Sequence, residues 1–261
     1  MTTNVSMQRP PLSVRLAAEG LGSFLVVAVG VGTALFIPAL HTETAHPMLV
    51  ALIIAVAFGG AFVVSSFAFG AISGGHFTPV LSVGAAAAAK LPWRDVPAYV
   101  VAQLVGAAVA ATLLTLVGTF GRDNLLTQLQ DAGFASNGWG EYSPAGFELP
   151  AVIIAEVVVS GLLVLVFVSA HRSSVAAVVV PVAVGTMVML AHLVMIPIDG
   201  ASLNPARSLA TAIYGGLGPI MQVWAFIVFP LLGAVAAGWA CAPLLGRLPD
   251  ATQPTPPLSG V

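Results

Sequence analysis

The chain has 261 residues, of which 58% are hydrophobic and only 7% are charged, and its formal net charge is −2. Soluble domains carry roughly 25% charged residues, so this composition excludes a soluble globular protein. No basic cluster is present in the sequence, which argues against a nucleic acid partner. The sequence therefore predicts an integral membrane protein.

Six apolar stretches are long enough to cross a bilayer, since about 20 residues of helix span ~30 Å of hydrocarbon. They lie at about 16–37, 48–69, 96–118, 150–170, 176–197 and 219–241. Because these stretches occupy most of the chain, we predict one transmembrane domain over residues 1–261 with short disordered tails. No continuous apolar run precedes the first stretch, which is therefore predicted to be retained and not cleaved as a signal peptide.

The charges between the stretches predict the orientation, because Lys and Arg flanking short loops resist translocation. If the N-terminus is cytoplasmic, one side of the membrane holds Arg9, Arg15, Lys90, Arg94, Arg172 and Arg247. The opposite side then holds Glu43, Asp123, Asp131, Glu141, Glu148 and Asp199, with Arg122 as its one flanking base. We therefore expect both termini to lie in the cytoplasm.

The two halves of the sequence resemble each other. Residues 18–23 and 155–160 both begin with Ala-Glu and end with Ser, near the starts of the first and fourth stretches. Residues at about 16–118 and 150–241 thus form two repeats of three stretches each. Because three is an odd number, the second repeat enters the membrane from the opposite face. Such an inverted repeat places a shared site near the midplane.

Each repeat contains an interrupted apolar segment between its second and third stretches. In the first repeat Thr78 precedes Pro79, and in the second Asn204 precedes Pro205. Thr and Asn are suitable N-caps, and Pro suits the first turn of a helix. The pattern predicts two half-helices that begin inside the membrane, the second ending near Ile213.

The residues before these caps are predicted to be extended. Irregular backbone at membrane depth is tolerated only where it is buried in protein or lines a watery cavity. We therefore expect carbonyl groups along a solute path at Gly74, Gly75, His76, Gly200, Ala201 and Ser202. Each helix N-terminus carries roughly half a positive charge, so two of them at the midplane repel cations and favour a neutral solute.

These motifs resemble the aquaporins, also called major intrinsic proteins. The first half contains Ser-Gly-Gly-His-Phe at 73–77, and the second contains Asn-Pro-Ala-Arg-Ser at 204–208. Residues 133–144 are similar to the same loop in bacterial aquaporins of the Z type. The resemblance runs from about residue 16 to 244. It implies an all-α fold of six transmembrane helices with two re-entrant half-helices, forming a homotetramer in the lipid of the inner membrane with one pore per subunit.

The resemblance also implies roles for individual residues. It assigns a water-selective constriction to Phe58, His192, Ala201 and Arg207. It assigns two midplane boxes to Thr78, Pro79, Val80, Asn204, Pro205 and Ala206. It implies that Glu19 and Glu156 support the re-entrant loops. The family has Asn where this chain has Thr78, whose single hydroxyl replaces two amide hydrogens, so we expect weaker control of water orientation there.

Other functions stay open on the sequence alone. Glycerol or ammonia are alternative neutral solutes for such a channel, with water as the favoured one. An ion-coupled secondary transporter shares inverted repeats, but the predicted spans show no set of coupling-ion ligands. A serine hydrolase using Ser202 with His192 as base is a weak match, so we predict no enzyme. No cofactor is expected, and no metal site, because the spacing of ligands is absent.

Overall fold

The structure is a computed structural model that describes residues 10–40, 46–172 and 175–246. Most of the predicted disordered tails lie outside these residues, as do Arg9, Glu43 and Arg247. The helices are α1 (Leu12–Phe36), α2 (Pro47–Ser73), α3 (Pro79–Ala87), α4 (Val96–Thr119), α5 (Leu125–Asp131), α6 (Leu149–Ala170), α7 (Val179–Asp199), α8 (Pro205–Gly215), α9 (Leu217–Gln222) and α10 (Ala225–Gly246).

The predicted fold class is confirmed. Over the described ranges the chain forms helices and turns without a strand. Six segments of these ranges are long and apolar enough to cross a membrane: Leu12–Leu40, Pro47–Ser73, Trp93–Thr119, Leu149–Ala170, Val179–Asp199 and Leu217–Cys241. Helices α3 and α8 are the predicted half-helices.

The helices extend beyond the predicted apolar stretches because polar side chains at their ends find partners. The first helix begins at Leu12, before the predicted start, and carries Arg15, which pairs with Asp95 at 3.1 Å. The second helix continues to Ser73, whose hydroxyl donates to Glu19 at 2.6 Å. Hydropathy marks where polar residues appear, whereas a helix ends where its backbone is capped. The short helices α5 and α9 were not predicted.

The inverted repeat is visible in the helix packing. Helix α1 packs on α2 and α4, and its counterpart α6 packs on α7 and α10. The half-helix α3 packs on α10, while α8 packs on α4, so each half-helix contacts the last long helix of the other repeat. Helices α2 and α7 pack on each other across the repeat boundary. This arrangement brings both half-helices between the long helices.

Glycines allow the long helices to approach with their backbones nearly in contact. A Cβ on Gly106 of α4 would lie 2.1 Å from the Gly20 carbonyl oxygen of α1. In the second repeat, a Cβ on Gly233 of α10 would lie 2.1 Å from the Val157 carbonyl oxygen of α6. Small residues at such crossings are typical of membrane helix packing. The two repeats therefore use the same device at the same helix pair.

Both half-helices begin as the sequence predicted. The Thr78 hydroxyl accepts the backbone N–H of Val80 at 3.3 Å, and Pro79 occupies the first turn of α3. In the second repeat, Oδ1 of Asn204 accepts the backbone N–H groups of Ala206 at 3.0 Å and Arg207 at 3.3 Å. Thr and Asn satisfy N–H groups that a helix start otherwise leaves unpaired. Asn caps one more group than Thr does here.

The expectation of extended segments before the caps is wrong in part. Gly74 and Gly200 are left-handed, with φ of 102° and 81°, and the non-glycine residues Phe77 and Leu203 are also left-handed, with φ of 55° and 52°. Left-handed residues turn the chain locally, so neither segment is a regular extended strand. Such conformations cost of order 1–3 kcal/mol for a non-glycine residue and persist only where surroundings enforce them.

Candidate functional site

Three of the four residues predicted for the constriction meet near the start of α8. Phe58 of α2 and His192 of α7 stack with ring centroids 4.1 Å apart. The Arg207 guanidinium lies over the Phe58 ring, 5.7 Å from its centroid. Ala201 is buried in the segment before α8, and its N–H donates to Asp199 at 2.8 Å. We call Phe58, His192, Ala201 and Arg207 the outer ring.

The outer ring presents one acceptor and one donor that the described protein groups leave unused. His192 Nδ1 lies 2.8 Å from the Val188 carbonyl oxygen, which can only accept, so Nδ1 carries the ring hydrogen. In the neutral ring Nε2 is then an acceptor, and it is buried without a partner among the described residues. Arg207 Nε is likewise a buried donor lacking a partner there. Each of these buried groups therefore needs a partner that a small polar molecule could supply.

Arg207 is fixed by a residue of the loop between α5 and α6. The side-chain oxygen of Asn137 accepts hydrogen bonds from Arg207 Nη1 and from the Ser208 hydroxyl. The amide nitrogen of Asn137 donates to the Asp199 carbonyl oxygen at 3.1 Å. Arg207 Nη2 also donates to the Gly200 carbonyl oxygen at 3.3 Å. The guanidinium is therefore held from two sides.

Thr78, which stands where the family resemblance implies Asn, connects the two repeats. Its hydroxyl donates to the Leu203 carbonyl oxygen at 3.2 Å while it accepts the Val80 N–H. A hydroxyl has a single hydrogen, so this bond leaves none for a passing solute. The side-chain amide of Asn204 is then the remaining side-chain donor of the two caps.

The first re-entrant loop is supported by Glu19, a buried residue of α1. Its Oε1 accepts from the Ser73 hydroxyl at 2.6 Å and from the His76 N–H at 3.0 Å. Its Oε2 accepts from the Phe77 N–H and from the Gln103 side chain, both at 2.7 Å. Four donors surround one carboxylate, which compensates for its burial in the membrane.

The second loop is held by Glu156 in the same way but with fewer donors. Glu156 Oε1 accepts the Ser202 N–H at 3.0 Å, and Oε2 accepts the Leu203 N–H at 3.3 Å. The Ser202 hydroxyl lies 2.7 Å from the Ser208 hydroxyl, just as His76 Nδ1 lies 3.2 Å from the Ser82 hydroxyl in the first repeat. Both loops are thus tied to a carboxylate and to the half-helix that follows.

Cavities reach the two re-entrant segments from opposite sides. An outer cavity of about 1030 Å³ is lined by Asn137, Gly200 and Arg207 among others. Two inner cavities, of about 390 Å³ and 350 Å³, share Gly74, and the smaller one also contacts His76. Gly75 borders the larger inner cavity. Gly74, Gly75, His76 and Gly200 of the predicted carbonyl segments therefore border open space, whereas Ala201 and Ser202 do not line these three cavities.

Comparisons with known proteins identify the family. The sequence profile described as Major intrinsic protein matches residues 6–241. The chain is 36% identical to Aquaporin Z of Brucella melitensis biotype 1 over 235 residues, which cover 89% of this chain and 98% of that protein. The chain belongs to the major intrinsic protein family. This confirms the resemblance read from the sequence motifs.

The fold agrees with a solved structure. The X-ray structure of the aquaglyceroporin from Plasmodium falciparum matches with a TM-score of 0.76, covering 90% of this chain and 97% of that one, at 18% identity. At this identity the match supports the fold alone. Major intrinsic proteins are membrane channels for water or small solutes and are not enzymes. The chain is therefore a membrane channel, which removes the hydrolase alternative.

Sequence reasoning missed several residues that position this major intrinsic protein's re-entrant loops. Asn137 lies in the loop whose resemblance was noted, but nothing local shows that it reaches Arg207. Gln103 was read as part of an apolar span, although a polar side chain in a span is expensive enough to signal a partner. Asp199 was read as a flanking acid, and the structure buries it completely. One signal was available in the sequence: Asp199 precedes Asn204 by the same number of residues as Ser73 precedes Thr78.

Proposed function

We propose that this channel conducts water passively and selects it over larger neutral solutes. The observation that carries the proposal is the outer ring, where His192 Nε2 is a free acceptor and Arg207 Nε a free donor beside the Phe58 ring. Water can donate and accept, so water molecules can supply the partner that each of these buried groups lacks. A polyol is bulkier than water, would have to pass the same stacked rings and fixed guanidinium, and would leave polar groups unpaired.

Ions are excluded by fixed positive charge in this proposal. The N-termini of α3 and α8 lie close together, since Thr78 of one cap bonds to Leu203 next to the other. Each N-terminus contributes roughly half a positive charge, and Arg207 adds a full charge in the outer ring. A cation or hydrated proton is repelled at both places, whereas a neutral solute is only oriented.

The orientation and assembly are also proposals. Arg15 and Lys90 both line the smaller inner cavity, which supports a cytoplasmic inner mouth under the positive-inside rule. Both termini would then be cytoplasmic, in the inner membrane of the cell. The homotetramer implied by the family resemblance would place four such pores side by side, surrounded by lipid.

Stopped-flow light scattering of proteoliposomes tests the selectivity. We expect the wild type to pass water with a low activation energy and to pass almost no glycerol. The double variant Phe58→Ala with His192→Gly should widen the outer ring and admit glycerol. A matched control, Val56→Ala with Leu190→Gly, makes the same kinds of change at exposed positions of α2 and α7. Wild-type glycerol permeability equal to that of water would assign the chain to the glycerol facilitators instead.

A further inference from the structure

The two re-entrant segments have the same backbone conformation at matching positions. Gly74 and Gly200 are both left-handed, and so are Phe77 and Leu203. Each long helix ends just before its left-handed glycine, α2 at Ser73 and α7 at Asp199. Asp199 therefore occupies in the second repeat the position that Ser73 occupies in the first.

Ser73 does two things at its position. Its hydroxyl accepts the Gly75 N–H at 3.2 Å and donates to Oε1 of Glu19 at 2.6 Å. The hydroxyl can do both because it has lone pairs and a hydrogen. It thereby closes the turn and supplies one of the four donors that Glu19 needs.

Asp199 makes the first of these contacts. When it is ionised, its carboxylate has no hydrogen to donate and cannot make the second. Its Oδ1 accepts the Ala201 N–H at 2.8 Å. Its Oδ2 is buried, and no donor among the described residues reaches it. The carboxyl of Glu156, the counterpart of Glu19, binds the next two backbone N–H groups after that of Ala201, so the two carboxyls lie side by side. Two carboxylate oxygens attract each other only when a proton lies between them.

The charges around Asp199 and Glu156 also require a proton between the two carboxyls. Besides Glu156 on α6, a charged group near Asp199 is Arg207 on α8, which donates to the carbonyl oxygen of the next residue, Gly200. His192 lies on α7 itself, and helix α2, which packs against α7, contains no acidic or basic residue. Two ionised carboxyls beside one guanidinium would leave a net negative charge in a buried site, which is costly. One proton makes the cluster neutral.

We propose that Asp199 and Glu156 share one proton, and that Asp199 is a positioning residue that acts through it. The protonated carboxyl of Asp199 donates to Glu156 as the Ser73 hydroxyl donates to Glu19. The shared proton holds the segment that contains Ala201 and the Gly200 carbonyl, which accepts a hydrogen bond from Arg207. When the proton is lost at alkaline pH, two negative charges repel each other behind the outer ring, and water flux falls.

Infrared spectroscopy of the purified full-length protein tests the proton directly, whichever solute the channel conducts. We expect a carbonyl band of a protonated carboxylic acid at neutral pH, sensitive to exchange into heavy water. The band should be absent from Asp199→Ser, which restores the hydroxyl found in the first repeat, and from the near-isosteric Asp199→Asn. Glu141→Gln, at an exposed carboxyl, should keep it. A wild-type spectrum lacking the band, or a band that survives Asp199→Ser and Asp199→Asn, overturns the proposal.

The pH dependence of stability and flux gives a second readout. If the folded state holds a proton that the unfolded state releases, folding becomes less favourable as pH rises. The equilibrium constant for unfolding then increases by up to about tenfold per pH unit. Wild-type thermal stability should therefore decline above about pH 5, and Asp199→Ser should show a shallower decline. Water flux should fall at alkaline pH in the wild type and stay level in Asp199→Ser. Parallel pH profiles in the two proteins would show that Asp199 holds no proton.

Discussion

Gly30 of α1 sets the position of the Phe58 ring, and replacing it by alanine should narrow the pore. A Cβ at Gly30 would lie 2.4 Å from Cδ1 and Cε1 of Phe58 and 2.6 Å from Cγ. Carbon atoms in comfortable contact are about 3.5–4.0 Å apart, so the ring must retreat by roughly 1 Å. His192 is stacked on Phe58, with centroids 4.1 Å apart, so the displacement is passed on to the outer ring.

The expected effect on flux is larger than the effect on stability. Overpacking typically costs about 1–3 kcal/mol, while alanine improves on glycine in a helix by about 1 kcal/mol, so Gly30→Ala should still fold. The better helix propensity of alanine affects stability and does not move the Phe58 ring back. If the displacement adds about 1–2 kcal/mol to the barrier for a passing molecule, water flux falls about 5- to 30-fold.

Stopped-flow water permeability per reconstituted protein measures this effect. The control is Gly60→Ala in α2, where an added Cβ would have nothing within 4 Å, and its flux should match that of the wild type. Adding Phe58→Ala to Gly30→Ala removes the ring that the new methyl group pushes, so water flux should recover. A folded Gly30→Ala protein with wild-type flux would refute this placement of Phe58 beside the solute path.

Two further substitutions test the midplane and the support of the outer ring. Thr78→Val removes the α3 cap, which costs about 1 kcal/mol, and leaves the buried Leu203 carbonyl unpaired, which costs about 1–3 kcal/mol. The melting temperature of Thr78→Val should therefore be lower than that of Thr78→Ser. Its water flux should stay within a few-fold of wild type because Asn204 remains. Asn137→Ala removes an acceptor from Arg207, and the ratio of glycerol to water permeability should rise, whereas Asn137→Asp keeps the acceptor and should preserve the ratio.

The parts of the fold that depend on local chemistry could be predicted from the sequence. Apolar length gave the six membrane helices, and a capping residue before a proline gave the starts of both half-helices at Thr78 and Asn204. The left-handed Phe77 and Leu203 could not be foreseen, because such residues adopt φ near 55° only when the surrounding protein enforces it. There, the backbone N–H groups bond to Glu19 and Glu156.

The partners of the site could not be predicted because they come from distant parts of the chain. Asn137 is separated from Arg207 by two long helices, and hydropathy gives no sign that a loop side chain is buried. Asp199 ends an apolar stretch, where an acid usually meets water. Its complete burial follows from the loop that packs over it, since Asn137 and Gly138 both donate to its carbonyl oxygen.

The asymmetry of the pore follows from side chains alone, because the two re-entrant backbones are so alike. The residue three positions after each cap is Arg207 in the second repeat and the buried apolar Leu81 in the first. Only one repeat therefore places a guanidinium beside its half-helix start. That charge requires the carbonyl of Gly200 and the amide of Asn137 to hold it. Because the first repeat has no such charge to hold, its loop needs only neutral donors around Glu19. In the proposed function, selection of the solute therefore falls to the outer ring.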